Sequence, residues 1–149
     1  MIHDSLLIIH AYAIADRLMM NHCKNLLIDR LRAYYCFNSF VPQHDLELID
    51  ELGYDESTTI ARYIKEQFVY EHTAGGQRDD FPGTLKDLLD TGLRFTCEVA
   101  HATVAKLIDY IADAEGHRDM NERWSDPSEG FGCHYHEHDE GETCYTSES

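Results

Sequence analysis

The chain has 149 residues, with 28 acidic against 12 basic side chains and a formal net charge of −16. This length favours one domain, and a hydrophobic content of 43% argues against disorder of the chain as a whole. Duplex nucleic acid and anionic membranes would repel so acidic a protein, so we expect neither as a partner.

Apolar spacing predicts three helices in the first third of the chain. Residues 5–20 are apolar on nearly every face, and residues 22–36 are amphipathic, with basic residues opposite the apolar side. Pro42 suits the first turn of a third helix. Gly53 suits its C-terminal cap, because glycine adopts the left-handed conformation without strain.

Three further helices are expected before the charge pattern changes. The fourth would begin at Ser57 or Thr58 and end before Gly75, since glycine stops helices readily. Thr84, with an acid three residues later, resembles a capping box and would lead into the fifth helix. The last helix would span about 97–113. No sustained period-2 alternation is present, so the predicted fold class is all-α, a small bundle of about six helices.

The acidic charge is concentrated at the C-terminal end. Residues 115–149 hold 10 acids and 2 bases, and no Leu, Ile or Val follows Met120. Such a segment cannot bury enough apolar surface to offset the entropy lost on ordering. We therefore predict a folded body up to residue 114 and a poorly ordered acidic tail over 115–149.

The cysteine pattern bears on the compartment. Five cysteines are an odd number, a poor disulfide framework that suits a reducing environment, so we expect an intracellular protein, cytoplasmic or nuclear. The alternative is a secreted protein, because the triplet from Ala13 to Ala15 follows an apolar run and resembles a signal-peptidase site. That run has no Lys or Arg before it and carries Asp4, which favours the intracellular interpretation.

Three stretches, in the same order over most of the chain, resemble a known family. The stretch LLIIHAYAIADRLMMNHCKNLLIDRL is similar to the segment that closes the BTB/POZ domain, especially in fungal-type members. Its matching positions are Leu6, Leu7, His10, Ala11, Ala15, Asp16, Arg17, Leu18, Lys24, Asn25 and Leu26. FVYEHTAGG followed by LKDLLDTGLRF resembles the stretch that follows the domain, and CHYHEHDEGETCY resembles the C-terminal Cys/His cluster of those proteins.

This resemblance implies an organisation and a function class. Residues 1–40 would be the closing helices of a BTB/POZ domain, residues 41–114 the helical extension, and residues 115–149 the Cys/His tail. The implied function is a non-enzymatic protein-interaction module. The strand-and-helix first half of the domain cannot be encoded in residues 1–5, so the chain is expected to be a truncated gene product, a gene-model fragment or a divergent stand-alone helical protein. Dimerisation and cullin recruitment depend on that half in the family and are not carried over.

The resemblance also implies where a partner would bind. In the family, the helices that match the first two helices here pack against the missing half, so their apolar side chains would be left for a protein partner or a second copy. Tyr34 and Tyr35 are either aromatic anchors for a partner or core residues between helices. The candidate interaction residues are Leu6, Leu7, His10, Tyr12, Leu18, Tyr34 and Tyr35.

A cluster of metal-ligand side chains in the tail supports an alternative function. Cys133, His136, His138 and Cys144 lie within twelve residues, and His134 is a further candidate ligand. Zinc takes thiolate and imidazole ligands tetrahedrally, so zinc is the cofactor that this set would bind. The alternative function is therefore a zinc-binding structural or regulatory module. The competing interpretation of the same residues is a solvated acidic tail that binds metal only opportunistically.

The sequence carries no catalytic signature. It has neither the Gly-x-Ser-x-Gly elbow of a hydrolase nor the Gly-Lys-Ser/Thr of a phosphate-binding loop. Catalytic zinc is disfavoured because no pocket-forming sequence surrounds the cluster. We therefore predict that the protein is not an enzyme.

Overall fold

The computed structural model describes residues 4–38, 40–75, 80–115, 126–128 and 134–138. Within these residues the protein has six helices and no strand, which confirms the predicted all-α bundle. The helices are α1 (Asp4–Arg17), α2 (Asn21–Asn38), α3 (Gln43–Glu51), α4 (Thr59–Glu71), α5 (Phe81–Asp90) and α6 (Arg94–Glu115). None of the described helices combines the length and the apolar character that a membrane crossing requires.

The six helices share one hydrophobic core. Helices α1 and α2 pack on each other as a hairpin, while α3, α4 and α5 pack on α6, and α3 also contacts α1. Buried aliphatic and aromatic side chains from every helix form one continuous cluster. The residues predicted as closing helices and those predicted as a helical extension are therefore parts of a single folded body.

Two helix ends have the same hydrogen-bond pattern around a left-handed residue. After α3, Gly53 has a φ of +75°, and the amides of Gly53 and Tyr54 donate to the carbonyls of Asp50 and Ile49. This is the C-terminal cap that the glycine predicts. After α1 the left-handed residue is Met19, with a φ of +57°. The sequence predicts the break between the first two helices at Asn21 and His22, whereas in the structure α1 ends at Arg17 and α2 begins at Asn21. A side chain is rarely tolerated in the left-handed conformation, so Met19 gives no signal of the kind that Gly53 does.

Helix α3 is linked to α1 and α2 by a buried carboxylate. Asp45 accepts hydrogen bonds from the hydroxyls of Ser5, at 3.1 Å, and Tyr35, at 2.6 Å. Its Oδ1 also lies 2.8 Å from Nδ1 of His44. Burial raises the pKa of Asp45, although these hydrogen bonds act in the opposite direction. The three helices are thus held in register by one side chain.

The N-terminus of α6 is capped by a side chain of another helix. The carboxylate of Asp50, in α3, accepts hydrogen bonds from the amides of Phe95 at 2.6 Å and Thr96 at 2.9 Å. The Thr96 hydroxyl also donates to it, at 2.6 Å. Free amides and the helix dipole both favour a carboxylate at this position. A cap supplied from outside the helix explains why α6 begins at Arg94, earlier than its sequence pattern predicts.

Helix α5 also begins earlier than predicted, and the capping-box interpretation of Thr84 is wrong. The helix starts at Phe81 and places Pro82 in its first turn, so that Thr84 lies inside the helix. Phe81 is buried in the core, which fixes this early turn against the body. Proline suits the first turn because its missing amide hydrogen has no helical partner there.

Replacing Asp50 with alanine should lower the free energy of unfolding by about 1–3 kcal/mol, because two amides and a hydroxyl at the start of α6 lose their acceptor. Urea denaturation followed by circular dichroism measures this. The matched control is Glu51→Ala, which changes an exposed acid on the same helix and should have little effect. Equal stability of the two variants would contradict the capping role.

Candidate interaction surfaces

The outward face of α1, formed by Leu7, His10, Ile14 and Leu18, is exposed. The exposed fractions of Leu7, Ile14 and Leu18 are 57%, 61% and 64%. Their spacing of seven and four residues places them on one side of the helix. Leu7, His10 and Leu18 are therefore exposed, and Ile14, which was not among the candidate interaction residues, lies on the same face.

The other candidate interaction residues face the protein interior to different degrees. Tyr12 and Tyr35 are fully buried, and the Tyr12 hydroxyl lies against Glu137 of the chain's own tail. Tyr34 is half-buried, with its ring edge-on to that of Tyr35 at 5.9 Å, and Leu6 is half-buried against the core. Of the two roles considered for Tyr35, partner anchor and core residue, the structure shows the second, because Tyr35 packs in the hydrophobic core.

A second surface is a groove between α1, α2 and α4, which is filled by residues 134–138 of the tail. We call these five residues the docked segment. Its amino-terminal end is held by Arg62 of α4, which donates a hydrogen bond to the His134 carbonyl at 3.2 Å. His136 contacts α2 through its Nε2, 2.6 Å from Oδ1 of Asp29. The contacts of Tyr135 and Glu137 are more extensive.

Tyr135 occupies an aromatic and cationic pocket. Its ring packs edge-on to Tyr63 at 4.8 Å, and the guanidinium carbons of Arg32 and Arg62 lie 5.5 and 5.3 Å from its centre. Its hydroxyl donates a hydrogen bond to Glu66. Burial, followed by the hydrogen bond to Glu66, raises the pKa of Tyr135, so the phenol stays protonated at neutral pH. Two cations facing one ring make this a favourable cation–π site.

Glu137 is held through both its backbone and its side chain. The amide group of Asn25 donates to the Glu137 carbonyl at 2.7 Å and accepts from the Glu137 amide at 2.6 Å. The Glu137 carboxylate pairs with Lys24 at 2.7 Å and accepts a hydrogen bond from the Tyr12 hydroxyl at 3.0 Å. The buried Tyr12 therefore contacts the chain's own tail.

Lys24 connects the docked segment to α1. Its ammonium group lies 2.9 Å from Asp16 as well as 2.7 Å from Glu137, and its side chain is only 8% exposed. Burial alone would lower the pKa of Lys24, but the hydrogen bonds to Glu137 and Asp16 raise it above its usual value. The hydrogen bond from Lys24, together with the one from the Tyr54 hydroxyl, lowers the pKa of Asp16. The cation is therefore charged and flanked by two carboxylates.

Residues 126–128 make a further tail contact beside the groove. Arg32 donates to the Pro127 carbonyl at 3.2 Å, and Gln67 donates to the Asp126 carboxylate at 3.1 Å. The same Gln67 amide donates to the buried Glu71 carboxylate at 3.1 Å. The two described parts of the tail thus lie against the same side of the body.

The predicted metal ligands are only partly described. Cys133 and Cys144 lie outside the described residues. His134 is exposed, whereas the rings of His136 and His138 are adjacent, with centroids 5.9 Å apart. Across the described ranges, no group of three or more His, Cys, Asp or Glu side chains has a geometry that could hold a metal ion.

No protein-family model, no curated protein and no solved structure matches the chain. The BTB/POZ resemblance therefore stays a prediction that rests on the three sequence stretches alone.

Sequence reasoning missed the groove and its residues. The amphipathic pattern predicts Lys24 and Arg32 on the polar side of the second helix, whereas the structure buries both side chains. Lys24 and Asn25 also match the family pattern, and Arg62 was assigned no role. Their partners in the docked segment are far away along the chain: the contacts of Arg62 and Asn25 join residues 72 and 112 apart. A local signal was present in the aromatic residues of the acidic stretch, Tyr135 among them, since aromatic side chains bury a large apolar area when they find a pocket.

Glu71, which joins this side of the body to the α2–α3 connection, should make stability depend on pH. It accepts a hydrogen bond from the Val41 amide at 2.7 Å, and burial raises its pKa from 4.5 to about 8. The folded protein therefore keeps the proton up to about pH 8, while the unfolded chain releases it near pH 4.5. The stability contributed by the protonated carboxyl is complete below pH 4.5 and is lost as the pH rises to about 8.

The substitution Glu71→Gln should remove this part of the pH dependence, because an amide cannot ionise. We expect the wild type to lose more stability than the variant between about pH 5 and about pH 8, measured by urea denaturation at both values. Glu51→Gln, which changes an exposed acid, is the control and should follow the wild type. An equal pH dependence of Glu71→Gln and the wild type would contradict the assignment.

Proposed function

We propose that the protein is a non-enzymatic protein-interaction module that binds through the outward face of α1. The observation that carries this proposal is the row of three large apolar side chains, Leu7, Ile14 and Leu18, each more than half exposed. Water-exposed apolar side chains that are contiguous on a helix face mark contact surfaces more often than single exposed ones do. The absence of any catalytic signature in the sequence agrees with a binding role.

The partner we propose is a second copy of the chain. A straight apolar row on one helix can pack against its own copy about a two-fold axis, so that each half of the contact repeats the other. Leu7, Ile14 and Leu18 are neutral, and the charged residues nearest to them on α1 are Asp4, three residues before Leu7, and Arg17, three residues after Ile14. The net charge of −16 opposes association, and salt would screen this repulsion, so association should strengthen at higher ionic strength.

The compartment that fits this role is the cytoplasm or the nucleus. Among the described cysteines, Cys23, Cys36 and Cys97 are thiols and do not form disulfides. Cys36 is exposed, and an exposed thiol persists more readily in a reducing environment.

The proposal predicts that the wild-type chain associates as its concentration rises, and that Leu7→Glu combined with Leu18→Glu keeps it monomeric. Each glutamate places a charge that must be desolvated in the contact. Size-exclusion chromatography with light scattering measures the mass across a concentration series. The matched control is Ile108→Glu, since Ile108 is 63% exposed but lies on α6. A wild-type protein that stays monomeric and binds no apolar surface dye would overturn the proposal.

A second candidate function is zinc binding by the tail. The observation that favours it is the adjacency of the His136 and His138 rings, 5.9 Å apart, which supplies two imidazoles on one side of the docked segment. Cys133 and Cys144 would complete the tetrahedral set that zinc prefers. His136 would have to exchange its contact with Asp29 for the metal.

Zinc titration followed by calorimetry tests this second candidate. The zinc proposal predicts stoichiometric binding that is lost in the double variant Cys133→Ser and Cys144→Ser, because thiolates are the strongest ligands of the set. The variant Cys23→Ser, which changes a thiol in α2, is the control and should bind zinc normally. Equal binding by the double variant and the wild type would exclude the proposed ligand set.

A further inference from the structure

We propose that the groove between α1, α2 and α4 is a peptide-binding site for an extended segment of a partner protein that carries tyrosine and glutamate separated by one residue. In the isolated chain, its own docked segment occupies this site as an intramolecular ligand. This surface is distinct from the outward face of α1, because Tyr12 and Asp16 lie about half a turn around the helix from Leu7.

The groove recognises the backbone of its ligand as well as its side chains. The side-chain amide of Asn25 makes two hydrogen bonds with the backbone of Glu137. Its nitrogen donates to the Glu137 carbonyl, and its oxygen accepts from the Glu137 backbone N–H. This pairing requires a segment whose backbone is free of other hydrogen bonds, as an extended peptide is. Peptide-binding proteins obtain affinity from such main-chain contacts and specificity from side-chain pockets on either side.

The first pocket selects for tyrosine. Its walls are the guanidinium groups of Arg32 and Arg62, its floor is the Tyr63 ring, and Glu66 accepts the hydrogen bond of the phenol. Phenylalanine would fit the walls but would leave Glu66 without this donor. An aliphatic side chain would lose the cation–π contacts as well.

The second pocket selects for glutamate. Lys24 supplies a buried positive charge and Tyr12 a hydroxyl donor, and both meet the carboxylate of Glu137. Glutamine would leave the ammonium with a single counter-charge, on Asp16. Aspartate is shorter by one methylene and would not reach both donors while Asn25 holds the backbone.

The composition of the groove is unusual for this chain, and it complements the ligand. Only 12 basic residues are present against 28 acids, yet Lys24, Arg32 and Arg62 all converge on the docked segment. Among the residues that the structure describes, Tyr135 is the one buried member of the hydrophobic core that lies outside residues 8–100. The body therefore has its core without the segment, and a different peptide of the same chemistry could take its place.

The experiment measures peptide binding by the full-length chain in two states. The double variant Tyr135→Ala and Glu137→Ala removes both anchors of the intramolecular ligand and should open the groove. The probe is a fluorescein-labelled synthetic peptide of residues 130–141, with serine replacing its cysteine, and the readout is fluorescence anisotropy. We expect the double variant to bind this peptide at least about tenfold more tightly than the wild type, in which the tethered segment competes at high effective concentration.

The controls separate recognition from non-specific binding. A peptide with alanine at the positions of Tyr135 and Glu137 should bind at least about tenfold more weakly to the double variant, since it lacks both anchors. Adding Asn25→Ala to the double variant should weaken binding of the unaltered peptide. Leu7→Glu should leave peptide binding unchanged, so that failure of this proposal and failure of the proposed function are distinguishable. If the double variant does not fold, as judged by circular dichroism, Glu137→Lys opens the groove by charge repulsion from Lys24.

Three results would each overturn the proposal. The first is a folded, opened variant that does not bind the peptide. The second is equal binding of the unaltered and the alanine-substituted peptides. The third is a wild-type chain that binds the peptide as tightly as the opened variant, since the docked segment would then not occupy the site.

Discussion

The arrangement of the body and its tail depends on one buried cation, the ammonium group of Lys24. It lies between Asp16 of α1 and Glu137 of the docked segment, at 2.9 and 2.7 Å, with little access to water. A charge in this position is costly unless carboxylates surround it. The position of α1 relative to α2 and the position of the tail are thereby coupled, because both supply a counter-charge to the same group.

Carboxylates have a similar structural use elsewhere in this acidic chain. Asp45 receives the hydroxyls of Ser5 and Tyr35, and Asp50 receives the amides that begin α6. Both belong to α3, a short helix that contacts α1, α4 and α6. Part of the −16 charge thus joins helices to one another through hydrogen bonds of buried or half-buried carboxylates.

The sequence was informative where structure is decided locally. Apolar spacing predicted six helices, and Gly53 predicted a left-handed helix end, because both follow from contacts within a few residues. The starts of α5 and α6 were misjudged, since a buried Phe81 and the distant Asp50 fix them. The groove could not be predicted, because polar contacts such as that of Asn25 with Glu137 leave no periodic pattern and join residues 112 apart.

That sequence separation has a consequence for the order in which the protein is made. Every residue that lines the groove belongs to α1, α2 or α4, whereas the docked segment lies close to the C-terminus. Synthesis proceeds from the N-terminus at about 5–20 residues per second, so the lining residues leave the ribosome several seconds before the segment that fills them. During that interval a nascent chain has no ligand of its own to compete with. A partner peptide present at the ribosome would meet its binding site before the tail does.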